Sequence, residues 1–363
     1  MNNTTMKKTK VNILFVEYCN DLKGGGAQRV FLDILKYTKK EIFNIFAAFP
    51  YEQGEGFLKE IPEHIETLNY DSKSPSGMGN GLPAYILFCL HIPVIVFRWF
   101  FLLKKHEIQV VYVHSIISGL HFSLLKKLTN IKLIYHEHNM ASQRPNTLLW
   151  RSLFKFVTSN ADVIISISNS VKDSLLEAGA NPEKIEVIHN GIENIQNINI
   201  DALKQNGYKR LGYSSGSVVV GMIGHFRKWK GQLLFVESAK KICENRSDIS
   251  FVIVGGAQDE IYYEEVLGYI DKHNLADKIK ITGHQDKIDE LLSCMSVVVV
   301  PSVPEPFGLV VLEAMRMNKP VVAFNIGGPS EIIENNKSGV LVNDINSESM
   351  ANAIEKLILA ENV

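Results

Sequence analysis

Two patterns alternate along this chain: short, nearly unbroken apolar runs, and longer stretches whose apolar residues return every three or four positions. The runs at 11–16 (VNILFV), 43–49 (FNIFAAF), 110–114 (VVYVH), 132–138 (KLIYHEH), 162–168 (DVIISIS) and 184–190 (KIEVIHN) predict strands. Between several of them, AQRVFLDILKYTKK and NSVKDSLLEAG carry helical spacing, and Gly179 stops the second. After a polar stretch at 194–217 the rhythm restarts, with strands predicted at 218–224, 249–256, 278–283, 297–302, 320–324 and 339–342. Apolar residues at successive positions imply burial on both faces, as in parallel strands covered by helices. The pattern predicts an α/β protein of two Rossmann-like, doubly wound domains, 1–195 and 196–363. Ligands are expected in a cleft between the carboxyl ends of their strands.

Length and composition agree with that plan. At 363 residues the chain exceeds one ordinary core, and 46% apolar with 21% charged residues is a globular composition. A formal charge of -1 argues against a nucleic-acid partner, so any anion recognition must be local. Cys19, Cys89, Cys243 and Cys294 lack metal-ligand spacing and are expected as reduced thiols of a cytoplasmic protein. The first apolar run is too brief for a signal-peptide core and reads as a strand.

One segment changes the picture. LPAYILFCLHIPVIVFRWFFLL, Leu82 to Leu103, has the length of a membrane span, but Pro83, His91, Pro93 and Arg98 interrupt it. It reads first as a buried or partly buried helix. A helix lying in a membrane interface is the alternative, kept open by Arg98, Lys104 and Lys105 beside Trp99 and Phe100. Spanning is not expected.

Candidate chemistry gathers at strand ends. IGHFRKWKGQ (223–232) sets an Arg and two Lys in a glycine-bracketed turn, which serves as either a solvated loop or a phosphate cradle. In PSVPEPFGLVVLEAM (301–315) Gly308 opens a helix, whose first free amides near Gly308 and Leu309 suit a phosphate. Glu305 precedes that helix and can accept hydrogen bonds from sugar hydroxyls. Glu313 lies inside it, where a carboxylate can take both hydroxyls of a ribose. A loop glutamate and a solvated helix glutamate are the plain alternative. Alternation puts His136 and His138 on one strand face, which makes a metal site conceivable, but no further ligand has a clear position and none is expected.

These stretches together resemble the retaining glycosyltransferases of family 4, also called glycosyltransferase group 1, with the GT-B fold. PEPFGLVVLEAM is similar to their E-x7-E signature. The resemblance extends in order through GGGAQRV (24–30), YVHS (112–115), SNSVKDSL (168–175), VIHNGI (187–192), WKGQ (229–232) and NIGGPSEII (325–333). It implies an acceptor-side domain at 1–195 and a nucleotide-sugar domain at 196–363. It further implies that Glu305 contacts the donor sugar, Glu313 the ribose, and the Gly308 and Leu309 amides the pyrophosphate. Lys230 would neutralise that pyrophosphate. Gly25 and Gly26 would approach the ligand closely, His114 would touch the donor sugar, and His136 would lie near acceptor or donor. Arg144 is a candidate for an anionic acceptor. His225 stands where the family has an arginine, so either Arg227 supplies the missing charge or Lys230 works with a partly protonated His225.

The activity so implied is retaining transfer, without a metal cofactor, from a nucleotide-sugar donor to a glycan or lipid-linked acceptor of cell-surface polysaccharide synthesis. The setting is cytoplasmic, with the inner membrane surface as an alternative. A nucleotide-sugar 2-epimerase of the same fold is a competitor, but it would need acid–base carboxylates at the sugar ring. A non-catalytic nucleotide-sugar-binding subunit is another, left open by His225. Relatives commonly carry a further helix crossing back to the first domain, and this sequence stops at Val363, so such a helix is expected to be missing or cut off. Donor sugar, base, acceptor and linkage are not written in the sequence.

Overall fold

The computed structural model describes residues 10–18, 25–50, 59–70, 82–140, 143–144, 147–194 and 199–361. The chain divides into two compact units, Met1–Asn190 and Gly191–Val363. The first runs β1 (Val11–Val16), α1 (Gly26–Tyr37), β2 (Phe43–Phe49), β3 (Glu66–Asn69), α2 (Leu82–Lys105), β4 (Val110–Val113), α3 (Ile116–Lys126), β5 (Lys132–Glu137), α4 (Leu148–Asn160), β6 (Val163–Ser166), α5 (Asn169–Glu177) and β7 (Ile185–Val187). Its described strands form a parallel sheet in the order β3-β2-β1-β4-β5-β6-β7.

The second unit repeats the plan. It runs α6 (Ile200–Leu211), β8 (Val218–Ile223), α7 (Gln232–Cys243), β9 (Ile249–Val254), α8 (Glu260–Lys272), β10 (Ile279–Ile281), α9 (Ile288–Cys294), β11 (Val297–Val300), α10 (Leu309–Arg316), β12 (Val321–Phe324), α11 (Pro329–Ile332), β13 (Gly339–Val342) and α12 (Ser347–Glu361). Its sheet order is β10-β9-β8-β11-β12-β13, again parallel.

The four valines of β11 show why these runs become central strands. Val297 and Val299 point into a core with Phe235 and Val236 of α7, Val266 of α8 and Ile354 of α12. Val298 and Val300 point the other way, to Leu211 of α6, Leu291 of α9 and Val311 of α10. Polar residues bound the helices: Ser168, Asn199 and Asp259 each accept a hydrogen bond from an otherwise free amide of α5, α6 and α8. Each such cap contributes about 1 kcal/mol. Gly212, with φ 69°, closes α6 in the left-handed conformation.

In both sheets the connections reverse direction at one point, between β1 and β4 and between β8 and β11. Loops leaving the carboxyl ends of such a pair diverge and leave a crevice, where ligands of open α/β sheets bind. One element differs from the sequence pattern, and one expected as a partly buried helix forms as such. β3 (ETLN) is an edge strand paired only with β2, and only one of its residues is apolar. Leu82–Lys105 is a single helix with Pro93 inside it.

Candidate active site

In the second unit, the crevice beside β8 and β11 is framed by loops 224–231 and 301–308. They are joined by backbone: the Val303 amide donates to the Trp229 carbonyl at 2.7 Å. Gly231 makes that approach workable, since at φ 77° a Cβ there would sit 2.1 Å from the Pro301 carbonyl oxygen. The contact brings two predicted residues together, with Lys230 Nζ 2.7 Å from Glu305 Oε2. Glu305 is only 7% exposed, so its charge is compensated by the lysine and not by water. The ammonium also lies 4.3 Å from the centre of the Trp229 ring.

Supports that the motifs did not name as site residues hold this pair. Gln232 is fully buried and donates to the carbonyls of Gly224 (3.2 Å) and His225 (2.9 Å), which fixes the turn. The Gly328 amide donates to the Glu305 carbonyl at 2.8 Å. A Cβ on Gly327 would fall 2.2 Å from that same oxygen, and one on Gly328 would fall 2.2 Å from Phe307 Cα. The signal for these two lay only in the NIGGPSEII resemblance.

Gly308, at φ 97°, stands at the N-terminus of α10, where no side chain caps the helix. The amides of Leu309 and Val310 are open to an anion beside Glu305, while that of Val311 already donates to the Gly308 carbonyl at 2.9 Å. Leu309 and Glu313 are both partly buried, Glu313 one turn into the helix. The remaining predicted residues of this loop make other contacts. His225 is partly buried, with its ring parallel to that of His284 at 6.2 Å. Arg227 is exposed, and its Nε donates to Gln258 Oε1 at 2.7 Å.

In the first unit Gly25 precedes α1 and Gly26 is its first residue, while Gly24 lies outside the described residues. His114 follows β4 at the switch point, and its ring meets Phe31 of α1 edge-on at 5.1 Å. It also meets His138, which alternation puts on one face with His136. His114 Nδ1 and His138 Nε2 are 2.9 Å apart, one donating to the other. His136 Nδ1 shares a hydrogen bond with the Tyr112 hydroxyl at 3.0 Å. The Nε2 atoms of His114 and His136 are buried with no hydrogen-bond partner.

All three rings are held neutral. Burial lowers His114 and His136 well below the usual histidine range, and neighbouring imidazoles lower them further. Burial alone brings His138 down to about 4. Here the structure supplies the third ligand that spacing could not show, since one nitrogen from each ring lies within 4.8 Å of the others. The donor set is that of a zinc site. However, the bonded nitrogens of His114 and His138 are closer than ligands about 2.0–2.1 Å from one tetrahedral zinc would be, so a metal would have to replace that hydrogen bond.

Arg144 is already engaged. Its Nη2 pairs with Glu137 Oε2 and bonds the Tyr135 hydroxyl at 3.0 Å, and Glu137 in turn is 2% exposed. Burial is the largest single influence on Arg144 and acts to lower its pKa, but the Glu137 charge, Tyr135 and the hydrogen bonds to both together outweigh it and the net shift is upward. Arg144, Glu137, Asn139, Phe154 and Ser174 line one small hollow.

Two doubly wound parallel sheets with crevices at their switch points define the class: the fold is that of GT-B glycosyltransferases. Residues 24–194 match the family model Glycosyltransferase Family 4, and residues 207–362 match Glycosyl transferases group 1. The chain belongs to this family and is a glycosyltransferase. It is 29% identical over 267 residues to the UDP-Gal:alpha-D-GlcNAc-diphosphoundecaprenol alpha-1,3-galactosyltransferase of Escherichia coli, covering 70% of this chain and 68% of that one. A glycosyltransferase from Rickettsia africae superposes with TM-score 0.78 at 25% identity, over 98% of this chain and 89% of that chain. HepE of Anabaena, solved with UDP and glucose, superposes with TM-score 0.76 at 22% identity, over 96% and 90%.

Proposed function

We propose that this glycosyltransferase takes a nucleoside-diphosphate sugar in its second unit and transfers the sugar, with retention, to a glycan or lipid-linked acceptor of cell-surface polysaccharide synthesis. The observation that carries this reading is the Lys230–Glu305 pair beside the uncapped start of α10. A lysine ammonium has three donors, and Glu305 uses one. Those left over, with the amides at Gly308 and Leu309, face the charge that a departing diphosphate gathers in the transition state. Glu305 then serves the donor sugar and Glu313 the ribose. In the first unit, the unpartnered Nε2 of His114, with His136 beside it, and the backbone at Gly25 and Gly26 are the groups offered to the reacting sugars. Exposed Arg227 and partly buried His225 are the reserve of charge at the diphosphate. Arg144, whose Nη2 is held by Glu137 and Tyr135 while Nη1 has no hydrogen-bond partner, remains the candidate for an anionic acceptor.

Lysine and amides supply the neutralisation, so turnover is expected to survive chelation. The Escherichia coli relative names a UDP-sugar and a polyprenyl diphosphate acceptor, and HepE was solved with UDP; both favour this donor class here. A cytoplasmic protein working at the inner membrane surface is part of the same proposal. Retention fits a same-face displacement in which the leaving phosphate takes the acceptor's proton.

The test is thermal stabilisation by a panel of nucleotide sugars. One of them should raise the melting temperature by mass action. Lys230→Ala and Glu305→Ala should abolish the shift or the slow donor hydrolysis. Hydrolysis should release sugar whose first-formed anomer, read by NMR, matches the donor's, and EDTA should leave its rate unchanged. A panel with no binder would overturn the reading.

A further inference from the structure

Helix α2 shows two faces, both of them apolar. Phe88, Ile95, Trp99 and Leu103 are buried, and the Trp99 ring packs on Tyr70 at 5.7 Å and on Phe122 at 5.4 Å. On the other side Ile86, Leu87, Leu90, Val94, Phe97 and Phe101 are each at least 50% exposed. At 3.6 residues per turn these six fall within an arc of about 100°, one continuous stripe. A stripe of that size is more than a monomer leaves in water without a use.

Charge selects the occupant. Leu82–Lys105 contains no Asp or Glu, while Arg98, Lys104 and Lys105 are exposed and sit at the carboxyl end of the stripe. The Lys104 ammonium lies 4.3 Å from the centre of the Phe100 ring. An apolar face on a helix that carries three exposed cations and no carboxylate of its own, with Glu107 just past its end, complements acyl chains below anionic headgroups. The helix is long enough to cross a bilayer, but its Trp99 face is committed to the protein, so it must lie in the surface.

We infer that the exposed stripe of α2 is a membrane-docking surface, seated flat in the interface of an anionic bilayer. This deepens the lipid-linked acceptor reading, because it holds the enzyme on the surface where such an acceptor resides. The test is co-sedimentation of the full chain with phosphatidylcholine vesicles, with and without phosphatidylglycerol. Binding is expected to the anionic vesicles. Lys104→Ala/Lys105→Ala should weaken it by roughly 25-fold at low salt, about fivefold per cation, and added salt should weaken the parent likewise. Phe97→Ser/Phe101→Ser should reduce it at every salt concentration.

Both pairs lie on the exposed face, so the nucleotide-sugar melting shift should be unchanged in each variant and reports their folding. Three results would overturn the inference: a parent that does not bind anionic vesicles, binding that the Phe pair leaves intact, or alkali-resistant insertion of a spanning helix. A parent dimer split by Phe97→Ser/Phe101→Ser and unaffected by vesicles would overturn it as well, by assigning the face to a second copy. Vesicle binding without any nucleotide-sugar shift would defeat the donor reading and leave docking standing; the reverse result would do the opposite.

Discussion

Three imidazoles packed at the ends of β4 and β5 have nowhere to place a proton. The rings of His136 and His138 are 4.0 Å apart and those of His114 and His138 5.0 Å apart. A histidine whose pKa is depressed by folding stabilises the protein fully above its unfolded value of about 6.5. That stability is lost as pH falls toward the folded value, because the unfolded chain binds the proton first. For His138, lowered to about 4 by burial, the loss over that window is about 3 kcal/mol. Melting temperatures should therefore drop from pH 6.5 downward, and His138→Gln, which keeps a donor for His114, should flatten the slope. A slope unchanged by the substitution would place the sensitivity elsewhere. Glu137 and Arg144 make the complementary case. Arg144→Met strands a carboxylate that is 2% exposed, at a cost of about 3–5 kcal/mol by denaturant unfolding, and Glu137→Gln added to it should restore part of the loss.

Elements were more legible than the contacts between them. Every short apolar run read as a strand became one, because burial on both faces demands what the sequence displays. β3 escaped notice because an edge strand needs only one apolar side and ETLN offers little even there. Pro83, His91, Pro93 and Arg98 count against a membrane span but not against a helix, since Pro93 and Arg98 lie on the exposed side of α2, where a lost hydrogen bond or a charge disturbs no packing. The sequence marked Lys230 and Glu305 separately, and only the sheet order explains why loops 75 residues apart meet. His138 had no signal beyond alternation, since its partner comes from another strand. Glycine is what lets the loops close, and this can be tested. Gly231→Ala and Gly327→Ala each drive a Cβ into backbone at 2.1 and 2.2 Å, so both should erase the nucleotide-sugar melting shift. Gly216→Ala, at φ 88° with nothing within 4 Å, should cost only about 1–2 kcal/mol of strain and keep the shift.

At the scale of the molecule, each sheet draws its described strands from its own unit, on one side of the division between Asn190 and Gly191. The two cores flanking the second sheet draw only on residues between Leu203 and Ile358, so they require nothing from the first unit. Residues 191–363 also keep the Lys230–Glu305 pair, Gly308 and Glu313, the groups assigned here to the donor. That fragment should fold alone, with mixed helix and strand signal by circular dichroism and one cooperative melt. A nucleoside diphosphate at 100 times its Kd should stabilise it by about 2.7 kcal/mol. For a chain of this size that corresponds to a rise of roughly 5–10 °C in melting temperature. The fragment 1–190, carrying His114, His136 and His138 but none of the groups assigned to the diphosphate, should show no such rise. If instead the first fragment alone responds, the donor diphosphate sits at the glycines before α1, and the assignment of the two units is reversed.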